Sequence, residues 1–147
     1  MNVDKIVTST TTISLNVTGI TLLSVEEYYT NKAVIPVVDG SWWLRLTGGY
    51  VDFSAYAYER TQVEEDGRQA GESEYGVRPV LVVSGDSLAA GDKIIFRDMT
   101  WTKICTGVIL CDEIIDYMMF REDLTAMDAN IYEASDVKDY LEQWLEG

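Results

Sequence analysis

The chain contains no histidine, which removes the usual general base of serine and cysteine hydrolases and the commonest metal ligand. Two cysteines occur. Cys105 and Cys111 lie in strand-like sequence with no other thiol to suggest a framework, and they read as buried free thiols rather than a disulfide or a catalytic pair. No apolar run approaches the roughly 18 residues of a membrane span. The first residues, Met1-Asn2-Val3-Asp4-Lys5, lack the apolar region of a secretory signal, so the expectation is a soluble, cytoplasmic protein without a membrane partner. Neither Gly-x-x-x-x-Gly-Lys-Ser/Thr nor Gly-x-Gly-x-x-Gly occurs, so nothing predicts a phosphate cradle or a nucleotide cofactor. Glu64-Glu65-Asp66 lacks the alternating ligand spacing of a calcium loop, and the expectation is no metal. Nothing singles out two of the 25 acidic groups as a catalytic pair.

Positive charge is also scarce. Eleven Lys and Arg stand against 25 Asp and Glu, for a net charge of −14. The excess is concentrated: residues 111–147 carry 11 acidic groups against Arg121 and Lys138, and residues 59–74 carry six against Arg60 and Arg68. Such a field repels nucleic acid and acidic membrane surfaces, and it attracts a basic protein groove.

What is present suits one domain. At 147 residues and 47% hydrophobic, residues 1–147 can bury an ordinary core without disulfides or metals. Ile13–Val17 alternates with period two and predicts a first strand. Ser24 and Glu27 form a capping-box pair, which predicts a short helix from Val25 to about Thr30, ending before Pro36. An anchor strand is expected over Trp42–Leu46, followed by a second over residues 50–58, an acidic loop from Thr61 to Gly76, and one continuous apolar strand over Val77–Val83. Pro79 requires a bulge or an edge there. Lys93–Phe96 and Thr100–Cys105 read as a hairpin turning at Arg97-Asp98, with a further strand over Val108–Cys111. Val137, Tyr140, Leu141, Trp144 and Leu145 recur at the spacing of one helical face. Leu141 and Trp144 are expected to be buried against the sheet. Strands followed by a helix, without βαβ alternation, indicate an α+β fold with an antiparallel or mixed sheet.

The candidate recognition surface is the strand over residues 50–58. Val51, Phe53, Ala55 and Ala57 fall on one side, while Tyr50, Asp52, Ser54, Tyr56 and Tyr58 fall on the other. A Tyr, Ser and Asp face has the composition of a paratope: Tyr supplies large contact area at low entropy cost, and the small polar residues supply adaptable hydrogen bonds. Arg60, Glu64 and Glu65 extend it. Trp42, Trp43, Arg45, Arg78 and Trp101 read as scaffold anchors. Trp42 and Trp43 cannot share one side of a strand, so one of them is expected beside the Tyr face or under the C-terminal helix.

The anchors also carry a resemblance. Trp42-Trp43-Leu44-Arg45 followed by Val77-Arg78-Pro79-Val80-Leu81 resembles the DUF6273 family of bacterial and phage proteins. In that family a Trp-Trp-Leu-Arg block precedes a variable stretch and then Val-Arg-Pro-Ala-Leu. Leu46-Thr47 departs from the family's Ser-Pro. Asp92–Phe96 with Trp101, Leu110–Ile115 and Tyr132–Leu141 resemble blocks that normally come first. The chain therefore resembles a circularly permuted member, with the joint near residues 84–92. The resemblance implies a C-type-lectin-like scaffold that displays a changeable surface, in a protein of phage or prophage origin.

Two function classes follow. In the first, the protein is a non-enzymatic binder of a protein or small ligand, acting through the Tyr face and the adjoining acidic loop. In the second, it is an acidic inhibitor of a host nucleic-acid-directed defence system, an anti-CRISPR-like mimic. Its Asp112, Asp116, Asp136, Asp139, Glu142 and Glu146 would then occupy a basic channel of a nucleic-acid-binding host protein, and the chain would not itself bind nucleic acid.

Overall fold

In a computed structural model of the chain, residues 2–7, 12–47, 53–58, 62–69, 74–120, 132 and 135–147 are described. Among them, strands β1 (Asn2–Val7), β2 (Thr12–Thr21), β7 (Val80–Ser84), β8 (Lys93–Phe96), β9 (Met99–Cys105) and β10 (Val108–Cys111) form a closed barrel in the order β1-β2-β7-β10-β9-β8. Val7 opposite Ile95 closes the ring, and every pairing in it is antiparallel. A 5-stranded sheet is built from β3 (Trp42–Thr47), β4 (Phe53–Tyr58), β5 (Gln62–Gln69), β6 (Glu74–Val77) and β11 (Asp116–Met119), in the order β11-β6-β3-β4-β5. Its pairings are antiparallel except β3 with β6, which run parallel with Trp42 opposite Gly76. With helices α1 (Val25–Thr30) and α2 (Asp136–Glu146), this is an α+β fold dominated by strands. Among the described residues no helix is long and apolar enough to cross a membrane.

The apolar run Val77–Val83 is divided between the two sheets. β6 ends at Val77 in the open sheet, and β7 begins at Val80 in the barrel. Pro79 has no amide hydrogen to give to a ladder and biases the residue before it, so the chain bends at Arg78-Pro79. A second segment follows the same path: β10 pairs with β7 and β11 with β6. The Cys111 amide donates to Pro79 O and the Ile115 amide to Val77 O, both at 2.9 Å. Gly76 makes the crossing close, because an added Cβ there would lie 2.7 Å from the Ile114 side chain.

Two other expectations are corrected. The acidic stretch from Thr61 to Gly76 is not all loop, since β5 and β6 occupy much of it. β5 is last in the sheet order, and an edge strand can carry charge because one of its edges has no ladder neighbour. β1 precedes the first strand expected, and β2 extends beyond Ile13–Val17 at both ends.

Among the described residues the core has three parts. Inward positions of the barrel, among them Leu15, Leu81, Ile94, Trp101 and Ile109, pack as one cluster, with Trp144 and Leu145 of α2 against it. Trp42 and Leu44 of β3 join Val25 and Tyr28 of α1 and Val80, Ile104 and Leu110 of the barrel in a second. Trp43 joins Val77, Phe120, Tyr132, Val137 and Leu141 in a third, under α2. Both indoles are therefore buried, one on each side of β3, because each side has its own cover. The Trp43 Nε1 donates to Met118 O at 2.8 Å, which satisfies its polar end.

The two helices start as their sequences require. Ser24 Oγ accepts from the Glu27 amide at 3.0 Å and Glu27 Oε1 accepts from the Ser24 amide at 2.8 Å, which completes the capping box. Ser135 Oγ caps α2 by accepting from the Lys138 amide. The C-terminal end of α2 has no basic residue of its own. Arg97 supplies one from the β8–β9 turn, donating to the carbonyls of Trp144 and Leu145. Arg97 and Asp98 both hold positive φ, 51° and 61°, the geometry of a tight two-residue hairpin and a costly one for non-glycine residues.

Trp144 is only half-buried, in contrast to Leu141. Its ring tilts on Trp101 at 6.0 Å, and the Arg97 guanidinium covers it at 4.6 Å. Leu141, with no exposure, is the tighter link between α2 and the sheet. Replacing Leu141 with Ala should cost about 2–5 kcal/mol in urea unfolding. A near-neutral result would mean that α2 is not part of the core.

Candidate functional site

The expected recognition strand is the penultimate strand of the open sheet. β4 pairs with β3, and β5 continues outward from it. Backbone register places Tyr56 opposite both Trp43 and Glu64, Ser54 opposite Thr47 and Arg68, and Tyr58 opposite Gln62. Glu65 follows Glu64 in β5. Tyr50, Asp52 and Arg60 lie outside the described residues. The variable-looking hairpin is thus attached directly to the strand whose two tryptophans are buried on opposite sides.

The anchor arginines hold the frame. Arg45 Nη2 lies 3.2 Å from Glu27 Oε1, and its Nε donates to Leu22 O at 3.2 Å, so it ties β3 to the start of α1. Arg78 is buried. Its Nε donates to Cys111 O at 2.8 Å, an Nη2 donates to Pro36 O at 2.5 Å, and its plane lies over Trp42 at 4.9 Å. Burial pushes the guanidinium down to about 10, against the opposing pull of Asp112, which still leaves it charged at neutral pH. Trp101 is fully buried, with its Nε1 donating to Phe96 O at 3.0 Å.

The acidic set divides. Asp112 is held inward, accepting from Thr102 Oγ1 at 2.5 Å and from Lys93 Nζ at 2.9 Å. Asp116 is exposed and accepts from the Tyr117 amide at 2.8 Å. Asp139, Glu142 and Glu146 are exposed along α2, and Asp136 is half-buried in its first turn. Glu142 pairs with Lys138. Only the α2 members form a shared outward ridge.

A groove among the described residues was not legible from sequence. It has a volume of about 780 Å³ and is lined by α1, by Arg45 and by Cys105. The capping box and Arg45 were each recognisable, but their meeting across the groove depends on tertiary packing. Burial raises the Cys105 thiol, with Glu27 adding to the effect, and pushes Cys111 up to about 11. Neither thiol is poised as a nucleophile at neutral pH. Among the described residues no group of three or more Cys, Asp or Glu is placed to hold a metal ion. No family model, curated protein or solved structure gives a significant match to the chain.

One buried ion pair closes the connector over residues 85–92. Lys103 Nζ pairs with Asp86, their side chains 6% and 5% exposed. Burial alone would raise the Asp86 carboxyl, but hydrogen bonds from Lys103 and the Leu88 amide, with the ammonium charge, hold it below the ordinary carboxylate range. A carboxyl depressed in the folded state contributes stability above its unfolded value, and this is lost as pH falls through the folded one. Wild-type urea midpoints should fall more steeply below about pH 4 than those of Asp86→Asn. At neutral pH the variant should be the less stable, because Lys103 keeps a buried charge without its counter-charge. Parallel acid limbs would contradict this role.

Proposed function

We propose that this chain is a non-enzymatic recognition protein of phage or prophage origin, a circularly permuted relative of the DUF6273 family that works in the cytoplasm of a bacterial host. Its working surface is the β4–β5 hairpin with Tyr50, Asp52, Ser54, Tyr56, Tyr58 and Arg60, and its ligand is a protein or a small molecule. The observation that carries this reading is the double burial of Trp42 and Trp43 on β3. It makes β3 a rigid base from which two outer strands extend, and a rigid base lowers the cost of ordering a binding surface. The C-type-lectin-like comparison belongs to the same proposal: a Trp-rich scaffold carries a changeable segment. The raised thiols and the absence of histidine favour binding over catalysis.

A second reading rests on a separate observation. Asp139, Glu142 and Glu146 are exposed along α2, whose end Arg97 fixes to the barrel. A rigid acidic ridge on a chain of net charge −14 suits a basic channel in a host nucleic-acid-binding protein.

The two readings separate by mutation against a partner captured from host lysate. If the hairpin binds, Tyr56→Ala and Tyr58→Ala should each weaken affinity by about 1–3 kcal/mol with little salt dependence. Charge reversal at Asp136 and Asp139 should then change little. Full binding by the double Tyr variant, with loss in the charge-reversed one, would replace the first reading by the second.

A further inference from the structure

Helix α2 is held unequally along its length. Its first two turns carry Val137 and Leu141, both without exposure and packed with Trp43, Val77 and Phe120. Their start is fixed twice, by the Ser135 cap on the Lys138 amide and by the Asp136 amide, which donates to Phe120 O at 3.0 Å. The last turn is held differently. Glu142, Gln143 and Glu146 are exposed, while Trp144 and Leu145 are half-buried against the barrel cluster. Its end has no basic residue of its own, and the carbonyls of Trp144 and Leu145 are met from the β8–β9 turn by Arg97.

The same guanidinium lies over the Trp144 ring at 4.6 Å and over Phe96 at 5.2 Å. Trp144 in turn meets Trp101 at 6.0 Å and Phe96 edge-on at 6.4 Å. Trp101 has no exposure, and Trp144 is part of its cover. Arg97 itself is exposed, so water competes for each of its donors, and its hold is weaker than the burial of an aliphatic side chain. One helix therefore has a strong fastening at Leu141 and a weak one a turn later. Arg97 holds a positive φ of 51°, which glycine adopts at no steric cost; the guanidinium on the helix end is what glycine there would lack.

We propose that the last turn of α2, residues 142–147, is a strap that opens while the rest of the helix stays docked, and that Arg97 is its latch. Opening breaks the two carbonyl bonds, unwinds the turn and lifts Trp144 off Trp101. It bares the aromatic end of the barrel at Phe96 and Trp101. It also takes Glu146 out of line with Asp139 and Glu142. The closed strap thus presents the whole acidic ridge, and the open strap presents a shorter ridge beside two aromatic rings. Leu141 sets the limit of the movement, because lifting it would expose a side chain that the third core cluster holds without exposure.

Native-state hydrogen exchange in low urea tests this on the whole chain. Strap opening exposes little surface, so the amides of Leu145, Glu146 and Gly147 should exchange at rates nearly independent of urea, whereas that of Leu141 should be slower and rise with urea. Arg97→Asn removes the latch and keeps the hairpin, since asparagine tolerates the left-handed region. It should speed strap exchange about five- to thirtyfold with the slope still near zero. Acrylamide quenching gives a second readout, because Trp42, Trp43 and Trp101 are 2%, 0% and 0% exposed and Trp144 is half-buried. Quenching should rise in Arg97→Asn, and the rise should disappear when Trp144→Phe is added. A urea slope shared by the strap and Leu141 amides would show that the turn opens only with the whole fold, and would overturn the proposal. Unchanged strap exchange in Arg97→Asn, or a quenching rise that survives Trp144→Phe, would do the same.

Discussion

The guanidinium of Arg78 is the charge around which the two sheets are joined. Taking an unpaired cation out of water costs several kcal/mol, so its position persists only because its donors find carbonyls and its face finds an indole. Those partners come from three places: Pro36 after α1, Cys111 at the end of β10, and Trp42 on β3. One side chain therefore links the barrel, the open sheet and the α1 segment. It also sits where the chain leaves β6 for β7, and Pro79 beside it confines the bend to two residues. Local backbone chemistry and long-range electrostatics act at the same point.

The same arrangement determines which charges face outward. Arg45 holds α1 to β3, Lys93 meets Asp112 at the surface, Lys103 meets Asp86 in a buried pair, and Arg97 holds the end of α2. Among the described residues Arg45, Arg78, Arg97 and Lys103 are committed to bonds that join elements, while Glu26, Asp139, Glu142 and Glu146 are exposed. The acidic surface follows from the composition, 25 acidic against 11 basic residues. A field of that sign attracts basic surfaces and repels acidic ones.

Legibility in the sequence follows the range of the signal. The capping box at Ser24 and Glu27, the turn at Arg97-Asp98 and the apolar stripe of α2 are local patterns, and each marks an element at its observed place. That Trp42 and Trp43 lie on opposite sides of their strand was also readable, because alternation forces adjacent residues apart. That Trp43 is the one under α2 came only from the packing. The split of Val77–Val83 was not: an apolar run buried on both sides looks the same whether it lies in one sheet or crosses between two. β5 was hidden by its charge, since Glu64, Glu65 and Asp66 read as loop until β4 supplies a pairing edge. Trp144 was read as buried from helical spacing alone, whereas the Arg97 cover lets it stay half-buried. The groove joins residues from α1, β3 and β9, and no periodicity within any one of them announces it.

Arg78 works through its planar, multi-donor shape and not through charge alone. Equilibrium urea unfolding of Arg78→Lys tests this most directly. Lysine keeps the charge but loses the fork that reaches both Pro36 O and Cys111 O and the plane that lies on Trp42. The variant should lose roughly 2–4 kcal/mol with unfolding still cooperative, in line with hydrogen bonds to a charged group and a buried cation–π contact. Wild-type stability in the lysine variant would contradict it.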